Sequence, residues 1–142
     1  LAIKTDDYIL YGNIGDSSGY VIKNNTLHKV TRDHTLVNLL VSTGELTEEE
    51  AKHHPRKNVL MRALGANDPI EIDIFDVDTT VKGLFLCSDG LTNMLTDEQI
   101  EKILNSNLSI EEAVVRLIRK SNSRGGTDNI SIAYLKKESG DL

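Results

Sequence analysis

Three acidic residues stand where carboxylates can do chemistry. Asp16 sits in Gly15-Asp16-Ser17, Asp89 in Ser88-Asp89-Gly90, and Asp128 in Gly126-Thr127-Asp128-Asn129. Each flanks a strand-like run and has a glycine within two residues. Glycine lets backbone approach an ion or phosphate closely and adopts conformations that other residues avoid. Taken singly, each acid is a turn residue, and Asp-Gly between apolar runs, as in LFLCSDGLTNML, is the strongest short hairpin signal. Taken together, the three can converge at one end of a sheet. Two carboxylates about 4 Å apart repel by roughly 4 kcal/mol at an effective dielectric near 20. A converged set therefore needs a proton or a metal ion. Oxygen ligands without histidine or thiolate select Mg²⁺, Mn²⁺ or Ca²⁺ over zinc. Such a cation activates water, and a pair of them can clamp a phosphoryl group in line. That chemistry is phosphoester hydrolysis. No Ser, Cys and His constellation supports covalent catalysis.

Strands must carry these acids. Residues 8–11, 20–23 and 27–30 are short β-like runs joined by GNIGDSSG and Asn24-Asn25, which predicts an antiparallel meander. Residues 70–75 alternate isoleucine with acids and predict a half-buried strand, while the apolar run 84–87 predicts burial on both faces. A last strand is expected over 130–135. Helices read from their caps. Thr35 opens one that ends at Gly44, and Thr47 with Glu50 forms a capping box for a second, stopped by Pro55. Thr96 with Gln99 and Ser109 with Glu112 open two more. The helical stretch 35–58 is polar within a β-rich chain, so it reads as an insertion outside the sheets. His53 and His54 lack a cysteine or histidine partner at ligand spacing, which weighs against a metal site there. The class is α+β, antiparallel sheets flanked by helices.

The 142 residues fit one domain, and 39% hydrophobic with 27% charged residues is an ordinary globular composition. No apolar run approaches the length of a membrane span, and no signal peptide opens the chain. A net charge of −6 without Lys/Arg clusters argues against nucleic-acid binding. The single cysteine, Cys87, excludes an internal disulfide and points to a reducing compartment, the cytoplasm. Placed in an apolar run, it reads as core filler. The chain starts at Leu1 and enters strand-like residues at once, the expectation for a piece of a longer protein.

The stretches IGDSSGY, TRDHTLVNLLVSTGELTEEEAKHHPRKNVLMRALG, FLCSDGLTNMLTDEQI and GGTDNISIAYL resemble, in order and spacing, the metal-dependent serine/threonine protein phosphatases of the PP2C (PPM) family. The likeness is to short bacterial members that oppose PASTA-type kinases, and it covers nearly the whole chain. It implies an antiparallel β-sandwich with helices outside, here incomplete because the family's N-terminal part is absent. Residues 1–142 would be the C-terminal part of one such domain, with a flap at about 35–58 that includes Val37, Asn38, Gly44 and Asn58. Asp89 and Asp128 would match ligands of the two catalytic Mn²⁺ or Mg²⁺ ions. Asp16 would help Asp89 hold a third, accessory ion, and Asn129 would orient Asp128. The implied reaction is hydrolysis of phosphoserine and phosphothreonine by a metal-activated water. The implied partners are phosphoproteins, among them a cognate kinase. Two departures stand out. Ser18-Gly19 replaces the usual Arg-Ala, and the early segments that carry the phosphate-binding arginine and the metal-bridging aspartate are missing. The isolated chain is therefore expected to be weak or inactive. The rival reading is a non-catalytic phosphatase-like module that regulates or binds a partner.

Overall fold

The computed structural model describes residues 1–66 and 69–137. The chain runs β1 (Ala2–Lys4), β2 (Ile9–Asn13), β3 (Ser18–Lys23), β4 (Thr26–Lys29), α1 (Leu36–Ser42), α2 (Glu48–His53), β5 (Asp73–Val77), β6 (Gly83–Cys87), α3 (Asp89–Thr92), α4 (Asp97–Leu104), α5 (Ile110–Ser123) and β7 (Ile132–Lys136). Two antiparallel sheets form, one ordered β1-β2-β5 and the other β4-β3-β6-β7. The class is therefore the expected one, antiparallel sheets with helices outside.

The four-stranded sheet is the middle layer. On one side Tyr20, Ile22, Phe85 and Cys87 meet Leu91, Leu95, Ile100, Ile103, Leu104, Ala113 and Leu117 from the helices. On the other, Val21 and Leu84 meet Ile9 and Tyr11 of the three-stranded sheet, with Phe75, Val77 and Leu86 packed around them. Successive side chains of a strand point to opposite faces, so the covered stretches Tyr20–Ile22 of β3 and Leu84–Cys87 of β6 are apolar at every position. Phe85 is fully buried and meets Tyr20 and Tyr134 edge to face, with ring centroids 6.1 and 5.9 Å away. Helix α4 is tied to this layer at its edge. The Tyr20 hydroxyl donates to Asp97 Oδ1 at 2.9 Å, and the Leu27 amide donates to Glu101 Oε2 at 2.7 Å.

The capped helix starts at Thr35, Thr47 and Ser109 form as their residues dictate. Thr35 Oγ1 accepts from the Asn38 amide, and the Thr47–Glu50 and Ser109–Glu112 boxes are reciprocal. Gln99 Oε1 accepts from the Thr96 amide at 3.3 Å. Helices α1 and α2 pack on each other. The ends of their segment are stitched together: Leu36 N–H donates to Val59 O at 2.9 Å and Met61 N–H to His34 O at 2.7 Å.

Two strand expectations are corrected. The predicted meander holds only for β3 and β4, because β2 pairs with β1 and β5 and lies in the other sheet. The turn-rich join between β2 and β3 crosses from sheet to sheet. The strand expected over 70–75 runs Asp73–Val77, and its alternation is inverted. Ile74 is 63% exposed, whereas Asp73 and Phe75 face inward and are partly covered. Short β1 and α3 were not anticipated. Gly19, which departs from the Arg-Ala pattern, has a packing reason: a Cβ there would lie 2.6 Å from the Tyr11 ring.

Candidate metal centre

Asp89 lies one residue past β6 and is the first residue of α3, with Ser88 between them as the N-cap. Ser88 stitches this corner to the segment before β7. Its amide donates to Ser131 O at 3.0 Å, its hydroxyl donates to Asn129 O at 3.1 Å, and it accepts from the Ser131 amide at 2.9 Å. Gly90 allows the close approach, since a Cβ there would lie 2.2 Å from Asn129 O. The loops of Asp89 and Asp128 are thus neighbours. Sequence reasoning missed Ser88, although its place beside Asp89 was a signal.

Asp16 reaches the same region from the join between β2 and β3. Asp16 and Asp89 line one cavity of about 300 Å³, together with Asp33, Thr35, Lys52, Lys57, Thr92 and Asn93. Burial, then the nearby Asp89 and Asp33 carboxylates, push the Asp16 carboxyl above its usual range. Among the described residues, neither Asp16 nor Asp89 is in an ion pair. Asp89 Oδ2 accepts from Asn93 Nδ2 at 3.1 Å. Asp33 is held by Lys29, whose Nζ donates to Oδ2 at 2.9 Å.

Asp128 stands apart from this pair. Its Oδ1 accepts from the Asn129 amide at 2.7 Å, so Asn129 meets it through main chain. No group of three or more His, Cys, Asp or Glu side chains converges at metal-holding distance among the described residues. Of the residues expected in a flap, Val37, Asn38 and Asn58 line the Asp16–Asp89 cavity, whereas Gly44 sits beyond the Thr43 C-cap with φ +80°. Cys87 is buried, and burial pushes its thiol up to about 12. That environment suits packing and not nucleophilic attack.

The donor set fits a hard divalent cation. Asp16 and Asp89 share an open cavity, neither of them in an ion pair among the described residues, and all their oxygens are hard ligands. Burial is the larger cause of the raised Asp16 carboxyl, and the Asp89 repulsion that adds to it is what a bound cation would offset.

Comparisons with known proteins agree with this chemistry. The family described as Protein phosphatase 2C matches residues 1–130. The serine/threonine phosphatase stp of Listeria welshimeri is 46% identical over 137 residues, covering 96% of this chain and 54% of that protein. The S. agalactiae serine/threonine phosphatase structure superposes with a TM-score of 0.91 at 37% identity, over 96% of this chain and 57% of that one. The catalytic domain of the phosphatase PstP, solved with 2 manganese ions, is similar at a TM-score of 0.77 and 29% identity, over 96% of this chain and 57% of that one. The chain thus spans about half the length of the relatives it matches.

Proposed function

Because the chain belongs to the protein phosphatase 2C family, we propose that the protein it represents is a Mn²⁺/Mg²⁺-dependent serine/threonine phosphatase, a hydrolase of phosphoserine and phosphothreonine in proteins. The observation that carries this reading is the pair of unpaired carboxylates, Asp16 and Asp89, in one cavity beneath α1 and α2. A bound Mn²⁺ or Mg²⁺ supplies Lewis-acid polarisation of the phosphoryl group and acidifies water. Asp89 is the ligand delivered by the rigid end of β6, and the Asn93 amide at the C-terminal end of α3 donates to its carbonyl at 2.8 Å. The family resemblance assigns Asp128 as a further ligand of the catalytic pair, and the bonds of Ser88 to Asn129 and Ser131 keep its loop beside that of Asp89. Asp16 serves an accessory ion. Asn129 fixes Asp128 from its amide. The 35–58 segment acts as a flap over the cavity, with Val37, Asn38 and Asn58 on its inner side. Its ends are clasped at Leu36–Val59 and His34–Met61, so motion concentrates beyond that clasp.

Residues 1–142 form the C-terminal part of the domain in this reading, and the remaining ligands come from the portion that relatives possess beyond the match. The substrates include a cognate bacterial PASTA-type kinase. The compartment is the cytoplasm: the one cysteine is buried and unpaired. Among the described residues no helix is long and apolar enough to cross a membrane. The test is phosphate release from a phosphothreonine peptide with Mn²⁺, using protein of full domain length. Asp89→Asn should lower kcat/KM by at least about 100-fold, since even residues behind metal ligands cost 10–100-fold. Turnover unchanged in that variant overturns the assignment.

A further inference from the structure

The backbone that carries Asp16 is held chiefly by one residue, His34, through its ring and its amide. Gly15 has φ +96°, in the left-handed region that strains any residue with a Cβ. Both of its polar main-chain groups end on His34. The His34 amide donates to Gly15 O at 2.9 Å, and the Gly15 amide donates to His34 Nδ1 at 3.2 Å. Asn13 Nδ2 adds a longer bond to the same carbonyl, at 3.4 Å.

An Nδ1 that accepts requires the ring proton on Nε2. His34 Nε2 lies 2.9 Å from Asp73 Oδ2, so Asp73 selects the tautomer that grips Gly15. Arg62 holds the other Asp73 oxygen at 3.1 Å, and a second Arg62 nitrogen meets Glu71 at 3.1 Å. Asp73 pairs across the sheet with Asn13, so the anchor sits on paired strands. His34 itself is only 8% exposed. The chain of contacts runs from β5 through the buried imidazole to the amide of Gly15, the residue before Asp16.

We propose that His34 is a positioning residue for Asp16. Its Nδ1 holds the Gly15 amide, and so the residue before Asp16, so that the Asp16 carboxylate stays in the cavity beside Asp89, and this sets the affinity of that carboxylate pair for a hard divalent cation. The inference rests on the metal reading of Asp16 and Asp89. A merely structural histidine would tie two segments without regard to which ring atom does so. Two substitutions separate the cases. Asparagine can offer an acceptor oxygen near the Nδ1 place and loses Asp73. Glutamine can reach Asp73 with its amide and offers nothing at the Nδ1 place.

The experiment is a Mn²⁺ titration of the ¹⁵N-labelled chain, read as paramagnetic broadening of the Asp16 and Asp89 amide signals, with hydrogen exchange of the Gly15 amide recorded in parallel. His34→Gln should raise the half-saturating Mn²⁺ about fivefold, the equilibrium worth of one hydrogen bond, and speed Gly15 exchange. His34→Asn should stay within about twofold of the unchanged chain in both readouts, even where its thermal midpoint falls as far. A glutamine variant that binds Mn²⁺ like the unchanged chain overturns the proposal and leaves the metal reading intact. So does weakening of both variants in step with their loss of stability. Broadening that is not centred on Asp16 and Asp89 in the unchanged chain, or that survives Asp89→Asn, overturns the metal reading and the His34 role with it.

Discussion

Strand β6 is covered on both faces, and strand β5 on one. In β6, Phe85 and Cys87 meet the helices while Leu84 and Leu86 meet the second sheet. In β5, Phe75 and Val77 pack inward, while Ile74 and the preceding Ile72 and Ile70 lie in the open, at 63%, 54% and 50% exposure. Both strands are rich in apolar residues, and only the first uses all of them. The difference matters for the candidate site. The doubly covered strand delivers Asp89 at a fixed place, because its backbone is locked from two sides. The half-covered strand contributes through its one inward acid, Asp73, which anchors His34. Rigid placement of a candidate ligand and indirect support of a loop thus come from differently buried strands.

Cutting the heart of β6 should show the larger effect. Phe85→Ala removes a fully buried ring from between Tyr20 and Tyr134. Urea unfolding should report a loss of about 3–5 kcal/mol. A loss below about 1 kcal/mol would mean that the middle layer does not carry the fold.

Next in size is Gly90→Ala, at the end of the same strand. The new Cβ would lie 2.2 Å from Asn129 O, a backbone atom held by Ser88. Either α3 or the segment before β7 must move, at about 1–3 kcal/mol. Amide shifts at Asn129 and Ser131 larger than those at Ile74 would confirm that the strain falls between the Asp89 and Asp128 loops.

How much of this was legible beforehand follows from the same contrast. The continuous apolar run 84–87 announced a doubly buried strand, and the acid at its end was readable because type and position coincide. Helix starts at Thr35, Thr47 and Ser109 were readable because capping is local. The β5 register was not. Alternating isoleucine and acid looks the same whichever face turns inward, and the choice is made by a partner far along the chain. Here Asp73 turns inward because His34 and Arg62 satisfy it. The sheet change between β2 and β3 was hidden for a similar reason: GNIGDSSG can turn a hairpin or carry the chain across layers, and its own residues do not say which. His34 carried no signal in RDHT, since its importance comes from Gly15 and Asp73, neither of them near in sequence.

The half-covered strand gives a smaller, pH-dependent effect through Asp73. The hydrogen bond with His34 and the Arg62 guanidinium hold its carboxyl below the usual range. A carboxylate lowered on folding adds stability that is complete above its unfolded pKa, about 3.9, and lost as pH falls through its folded value. Asp73→Asn should therefore cost about 1 kcal/mol at pH 7, a value discounted for the partly open setting. The gap from the unchanged chain should close below about pH 4 as the wild-type carboxyl takes up its proton. His34, Arg62 and Glu71 all face this group, so the comparison is cleanest as a difference between the two chains at each pH. A gap that persists undiminished into acid would show that shape and not charge is what Asp73 provides.

The smallest effect belongs to the outer face of β5. Ile74→Thr keeps a β-branched side chain, so strand preference is retained. The residue is mostly exposed, and the neighbours a Cβ at Gly12 would touch, Ile74 and Ile72 at 3.6 and 3.8 Å, show the isoleucines lying over bare backbone. Thermal unfolding should shift by no more than the equivalent of about 0.5 kcal/mol. Light scattering from concentrated protein should fall, because a row of exposed isoleucines is an association surface. A cost above about 1 kcal/mol that grows with protein concentration would reverse the contrast between the strands. It would mean that a second chain covers this face in solution, since stability that depends on concentration reports a bound partner and not an internal contact.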